Sequence, residues 1–362
     1  MHSIGERVQQ RIGQVCPTAR HRDIATDIGM TPDAFSRAVN DKRAFSSIEL
    51  ARLADRLDAD LHWLITGEPD PHRLVVAARH NFDHTTGRRE VPGRDDDDRI
   101  LEDIALAYRQ AYPSPTVAPS LPPDPSEIRS LLGEDFVRPF AERLEERLSI
   151  EVVRVSDLST DYSFAAGGRR VIALQATGNW FRENWSIAHE CGHLVLDHHD
   201  DGLTEAEWSR FESVANAFAA DLLLPIDVLT DIGWDHVDAA RLAELIWRWG
   251  VSTDALARRL NAVTGSVPAV VREWSEQPTQ RLLRRHWGSE SGEDEITLRM
   301  ESAAQRRFPL VLQEAHLKGI ESGDLGKGTL AWMLGIEEGA LEVDTPSVSE
   351  ADTDELTKAL GL

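Results

Sequence analysis

SIAHECGHLVLDHH, residues Ser186 to His199, decides how the middle of this chain is read. On a helix, His189 and His193 stand one turn apart and project from the same face, so both imidazoles reach one ion. Glu190 follows the first histidine and reaches a water on that ion rather than the ion itself. Zinc lowers the pKa of such a water to ~7, and a nearby carboxylate then takes its proton as the hydroxide attacks a carbonyl. The expected cofactor is Zn2+, with His189 and His193 as ligands and Glu190 as catalytic base.

A catalytic zinc takes three protein ligands and keeps a fourth position open. Two residues compete for the third place. His199 lies six residues after His193, but the turn that would bring it back needs a glycine where this chain has Leu196. Glu212 lies in the second helical segment, Glu205 to Leu224, where Trp208, Phe211, Ala215, Phe218 and Leu222 make the apolar stripe. It sits on the stripe's shoulder, about 80° from its centre by 3.6-residue geometry. A carboxylate is costly to bury there unless it binds a cation. A helix break near Asp200–Gly202 would let the two helices pack antiparallel and deliver Glu212, which is the preferred ligand.

Neighbouring residues have plainer readings. Cys191 reads as a small buried helix residue rather than a redox sensor. His198 and His199 read as a helix end, Trp180 and Trp185 as core, and Asn216 as structural. RVIALQ (Arg170 to Gln175) reads as a strand, either a plain sheet edge or one that pairs with an extended substrate. No oxyanion-stabilising residue is assigned; Tyr162 is the one suggestion.

Upstream, IEVVRV (Ile150 to Val155) is a second strand, separated from the first by the segment AAGG. Ile128, Leu131, Leu132, Phe136, Phe140 and Leu144 form one helical stripe. Two stretches read as linkers: GRREVPGRDDDD (Gly87 to Asp98), and PSPTVAPSLPPDPS (Pro113 to Ser126) with its six prolines. Ile100, Ile104, Tyr108 and Ala111 predict a short helix between them. Beyond Gly265 an all-helical region ends in the acidic tail SVSEADTDELTKALGL, whose role is not legible.

At the front, Ile24, Ala25 and Ile28 predict a short helix, Gly29 a tight turn, and Thr31 an N-cap with Pro32 at the first position of a second helix. That second helix, Pro32 to Asn40, would offer Thr31, Asp33, Ser36 and Arg37 to a DNA groove. A helical bundle used only for dimerisation is the competing reading; a dimeric DNA-binding module, hence a homodimer, is the expectation. The formal net charge of −23 opposes indiscriminate binding to nucleic acid, although bases outnumber acids from Met1 to Ala44. No apolar run is long enough to span a membrane, and the two cysteines are too few for a disulfide framework. These features predict a cytoplasmic protein without a membrane partner.

With these residues in view, two resemblances stand out. Residues 1–68, including the ending WLITGE, resemble the phage-repressor-like (XRE) helix-turn-helix family. HECGH followed by ESVANAFAADLLLP resembles the ImmA/IrrE metallopeptidases, gluzincin-like enzymes that cleave helix-turn-helix repressors, over about Ser126 to Gly265; Cys191 departs from that family's usual larger apolar residue. The resemblance implies the zinc ligands His189, His193 and Glu212, the base Glu190, and a repressor as protein substrate. The expected fold class is α+β and mostly helical: a helix-turn-helix bundle (1–70), a helical and Pro/Asp-rich linker (71–125), a zincin-like metallopeptidase domain (126–265) and a helical C-terminal region (266–362). The alternative is a DNA-binding transcription regulator whose zincin-like domain is a sensor, an autocleavage switch or an inactive scaffold.

Overall fold

Capping side chains and apolar stripes organise the N-terminal unit, Met1–Arg73. The computed structural model describes residues 3–17, 19–57, 59–68, 76–78, 81–83, 88–90, 94–114, 119–198, 205–288 and 294–343. The unit's helices are α1 (Ile4–Val15), α2 (His21–Asp27), α3 (Pro32–Val39), α4 (Ser47–Leu57) and α5 (Leu61–Thr66). Ser3 and Glu6 cap α1 reciprocally: Glu6 N donates to Ser3 Oγ at 3.1 Å and Ser3 N to Glu6 Oε2 at 2.9 Å. Gly29, at φ 78°, makes the left-handed turn out of α2. Thr31 then caps α3, its hydroxyl accepting from Ala34 N at 3.3 Å. Val8, Ile24, Phe35, Leu53, Leu57 and Leu64 fill the core. Arg7, buried beneath it, donates to the carbonyls of Leu64 and Ile65 and so ties α1 to the end of α5.

The second unit, Leu74–Leu362, is built around a small mixed sheet. It begins with β1 (Val76–Ala78), β2 (Asn81–Asp83), β3 (Arg88–Glu90), α6 (Arg94–Ala111), α7 (Pro125–Leu132) and α8 (Phe140–Leu148). Then come β4 (Ile150–Val155), β5 (Tyr162–Ala166), β6 (Arg169–Gln175), α9 (Trp180–Val195) and α10 (Glu205–Leu223). Helices α11 (Ile226–Thr230), α12 (Ala239–Trp249), α13 (Thr253–Thr264), α14 (Ala269–Ser275), α15 (Thr279–His286), α16 (Glu295–Ala304), α17 (Leu310–Ser322) and α18 (Gly328–Leu334) complete it. The sheet order is β1-β5-β6-β4, with β4 parallel to β6 and the other pairs antiparallel, while β2 and β3 pair separately.

Alternation along the strands sends side chains into two apolar layers. Ile150, Val152, Ile172 and Leu174 join the layer formed with α8, α9, α10 and α12. Val153, Val155, Tyr162, Phe164, Val171 and Ala173 join the layer formed with α6, α17 and α18. The chain is therefore α+β and mostly helical. Among the described residues no helix is long and apolar enough to cross a membrane.

Four expectations need correction. The stretch Gly87–Asp98 is not simply a linker, because Arg88–Glu90 is a strand and Arg94 opens the 18-residue α6. Its Asp run sits in the helix's first turn, where negative charge suits the dipole, and Leu101, Ile104, Ala105 and Tyr108 are fully buried one turn on. The stripe from Ile128 to Leu144 is two helices, because α7 stops at Gly133, whose φ is 83°. The AAGG segment is half strand: Ala165 and Ala166 end β5, and Gly167 and Gly168, both at positive φ, form the two-residue turn into β6. Strand β6 is consequently interior, hydrogen-bonded on both sides, and offers no edge to a substrate. The acidic tail and the Asp200–Gly202 break lie outside the described residues.

Candidate metal centre

Helix α9 starts at Asn179, whose side chain accepts from Arg182 N at 3.2 Å, and nearly every residue from Ser186 to Leu194 is buried. Helix α10 crosses it closely at Gly192, where a Cβ would meet Phe218 atoms at 3.1 to 3.2 Å. The two helices run antiparallel: Phe211 stacks on His198, while Asn216 and Ala220 share a cleft of about 440 Å³ with Arg182 and Trp185. This crossing brings one residue of α10, Glu212, against the two histidines of α9.

His189, His193 and Glu212 form a buried group able to hold a metal ion. His189 Nε2 and His193 Nε2 are 3.1 Å apart, and Glu212 oxygens lie 3.5 Å from the first and 3.3 Å from the second. Ligand bonds of ~2.0–2.1 Å at tetrahedral angles would put donor atoms about 3.4 Å apart. The donors therefore already stand near three corners of such a shell, and Glu212 Oε1 is buried without a hydrogen-bond partner. Burial alone would raise the Glu212 carboxyl, but the close approach of His189 and His193 outweighs it and holds the group at about 2. Burial pushes His193 below the ordinary histidine value, against the opposing pull of Glu212. A carboxylate and a neutral imidazole are the forms that bind a cation.

Glu190 is fully buried, and Ser163 Oγ donates to its Oε2 at 2.7 Å. Ser163 is on β5, so the strand beside the helix anchors one oxygen of the carboxylate. A second link fastens the same elements: Asp161 accepts from Ser186 Oγ at 2.7 Å and from Gln175 N at 2.9 Å, and pairs with Arg182 at 3.0 Å. Tyr162, by alternation, points to the opposite side of the sheet, where its hydroxyl donates to Asp97 Oδ2 at 2.6 Å. It is buried in the α6 layer and stands away from the metal group.

His198 does more than end a helix. Its Nδ1 lies 3.2 Å from His193 Nδ1, and its ring stacks on Phe211 at 4.0 Å with planes 2° apart. If His193 offers Nε2 to a cation, its Nδ1 carries the hydrogen and donates to His198, which fixes both tautomer and ring orientation. His198→Ala is expected to weaken metal affinity about 10–100-fold, as outer-shell partners of ligating histidines do; competition with a calibrated chelator would measure it, and an unchanged affinity would remove this role. His199, the rival third ligand, lies outside the described residues.

The other residues singled out by sequence have structural surroundings. Asn216 is exposed and its Nδ2 donates to Glu212 O at 2.8 Å, within its own helix. Trp180 packs on Phe181 and Trp247 in the core. Cys191 is fully buried, and burial pushes its thiol up to about 12. Iodoacetamide should therefore label only Cys16 in the folded protein and both cysteines after denaturation; native labelling of Cys191 would contradict its burial. Thr31, Asp33, Ser36 and Arg37 are all exposed at the start and along one side of α3.

No curated protein and no solved structure matches the chain. Residues 145–261, which carry His189, Glu190, His193 and Glu212, match the family model of the IrrE N-terminal-like domain, Peptidase_M78, and this segment is thus similar to a metallopeptidase domain.

Proposed function

We propose that this chain is a zinc-dependent endopeptidase that cleaves a helix-turn-helix transcriptional repressor, and that its N-terminal unit binds DNA. One observation carries the catalytic reading: two imidazole nitrogens and a carboxylate converge on a single buried point, with Glu190 next to it on the same helix. His189, His193 and Glu212 would hold the ion. Bound there, zinc supplies a Lewis acid and lowers the pKa of a water to ~7. Glu190 takes the proton of the attacking water on its carboxylate and passes it to the amine nitrogen that leaves. Ser163 keeps that carboxylate in place through both transfers. Asp161, anchored by Ser186 and Gln175, keeps β5 and β6 seated against α9.

The repressor substrate rests on the resemblance, and the DNA-binding role on the exposed polar side of α3. The test is to incubate metal-free and zinc-loaded protein with a panel of helix-turn-helix repressors and with denatured casein, reading products by mass spectrometry. Cleavage of a repressor by the loaded form alone supports the proposal. A loaded protein that leaves every substrate intact would sink the enzymatic reading.

The exposed α3 residues also support the second reading, a DNA-binding regulator with an idle zincin-like domain. Selection from randomised duplexes run beside the cleavage assay separates the two, because both readings predict an operator and only the first predicts cleavage. In that reading an enriched operator is lost with Arg37→Ala, survives Glu190→Gln, and no cleavage accompanies either.

A further inference from the structure

The first turns of α9, ahead of the metal group, help to line a second cavity of about 410 Å³, walled also by β4, α8 and α16. Arg138, Arg154, Arg299, Arg306 and Arg307 reach its walls, against two carboxylates, Glu142 and Glu183. Both acids are committed. Glu183 pairs with Arg154, and Glu142 with Arg307, which also holds Glu145 at 2.6 Å. Arg138 pairs with Asp135 at 3.0 Å. Arg306 and Arg299 rest on backbone and aromatic rings instead. Arg306 Nε donates to Met333 O at 3.1 Å, and its guanidinium lies 4.8 Å from the centre of the Trp332 ring. Arg299 Nη2 donates to Val137 O at 3.0 Å, and its guanidinium lies 4.0 Å from the centre of the Trp180 ring. Arg299 Nη1 is buried with no hydrogen-bond partner among the described residues, and so is Nε1 of Trp180, a residue only 3% exposed. A buried donor without an acceptor is costly, and a charged one more so. Burial and the nearby Arg138 push the Arg299 guanidinium down to about 10, further than Glu183 and Glu295 pull it up. No side chain caps the start of α8, and its first residues, Phe140 and Ala141, line the same wall. The N–H groups of a helix's first turn are donors too, and the dipole favours negative charge beside them.

We propose that this cavity binds a small molecule through a phosphate group, with Arg299 as its principal cation and Trp180 and the start of α8 as further donors. A phosphate brings roughly two negative charges and three acceptor oxygens, so it satisfies donors from three elements at once. A carboxylate offers less charge and fewer oxygens. The volume lies within the ~300–1,000 Å³ of small-molecule sites, which leaves room for the rest of such a molecule beside its phosphate. His189, His193, Glu212 and Glu190 do not line the cavity. The proposal therefore stands or falls apart from the peptidase reading.

The experiment titrates the metal-free full chain with inorganic phosphate, glycerol 3-phosphate and glycerol in a calorimeter. Both phosphates should bind saturably and glycerol should not. Arg299→Gln should weaken both by at least about ten-fold, the loss expected of one charge-assisted hydrogen bond. Arg37→Ala, on the exposed side of α3, should bind like wild type. The proposal is overturned if phosphate does not bind, if Arg299→Gln binds it as well as wild type, or if glycerol binds as well as glycerol 3-phosphate. It is equally overturned if the affinity follows Arg37, because the phosphate then sits on the N-terminal unit. In case Arg299→Gln fails to fold, hydrogen exchange on wild type gives a second reading. At equal ionic strength, phosphate in place of chloride should slow exchange of the amides of residues 140–142. An unaltered rate there would overturn the site without touching the metal centre.

Discussion

Glu190→Gln should lower the rate of peptide cleavage by a factor of about 10²–10⁴, the range expected when a positioned general base is removed, and leave the metal content unchanged. Glutamine matches glutamate in shape, and its amide oxygen can accept the Ser163 hydrogen bond that Glu190 Oε2 accepts at 2.7 Å. The site is fully buried, so shape matters for keeping α9 seated. What glutamine lacks is the ability to take a proton. Elemental analysis and a single-turnover cleavage assay on the same preparation check both halves. Loss of metal together with activity would make Glu190 a ligand or a structural residue, and retained activity would remove it from the chemistry. Ser163→Ala is the control for position: metal stays, and cleavage falls by less than in Glu190→Gln because the carboxylate is still present.

The legible part of this site was the part written along one helix. His189 and His193 are four residues apart, and the period of a helix alone puts them on one face. Glu212 could be found because a carboxylate on the shoulder of an apolar stripe needs a reason to be there. The structure brings all three together. Ser163 and Asp161 were not found, because their partners lie 27 and 25 residues away across a strand-to-helix crossover. A signal did exist: Tyr162, Phe164 and Ala166 alternate with Ser163, and a Gly-Gly pair follows, the marks of a half-buried strand entering a hairpin. Tyr162, the suggested oxyanion-stabilising residue, must in that alternation face away from Ser163. His198 was misread for another reason. Its role depends on Phe211, which reaches it only because α10 returns antiparallel, and no local pattern in LVLDHH encodes that return. The Asp run in the first turn of α6 shows the same limit, since charge composition suggests open chain while the buried face one turn later decides for helix.

Glu212→Ala should reduce metal affinity by more than the ~10–100-fold expected of an outer-shell residue, and it should also change how the metal-free protein responds to acid. In wild type the folded Glu212 carboxyl is held at about 2, below its ordinary value of 4.5. A carboxyl depressed on folding stabilises the protein above its unfolded pKa. That stabilisation fades as pH falls from about 4.5 toward 2, with a slope of at most about 1.4 kcal/mol per pH unit. His193 is lowered on folding, chiefly by burial. The unfolded chain therefore binds its proton first, and stability begins to fall as pH drops through the ordinary histidine value near 6.5. Urea midpoints of metal-free wild type should thus decline in two stages on acidification, the first around pH 6 and the second below pH 4.5. In Glu212→Ala the second stage should shrink, because its carboxyl is gone. The first should deepen and extend to lower pH, because the group that pulls the His193 value upward is lost while burial and His189 still lower it. If both proteins follow the same curve, Glu212 is not the ionised partner of the two histidines, and the case for it as third ligand falls with that result.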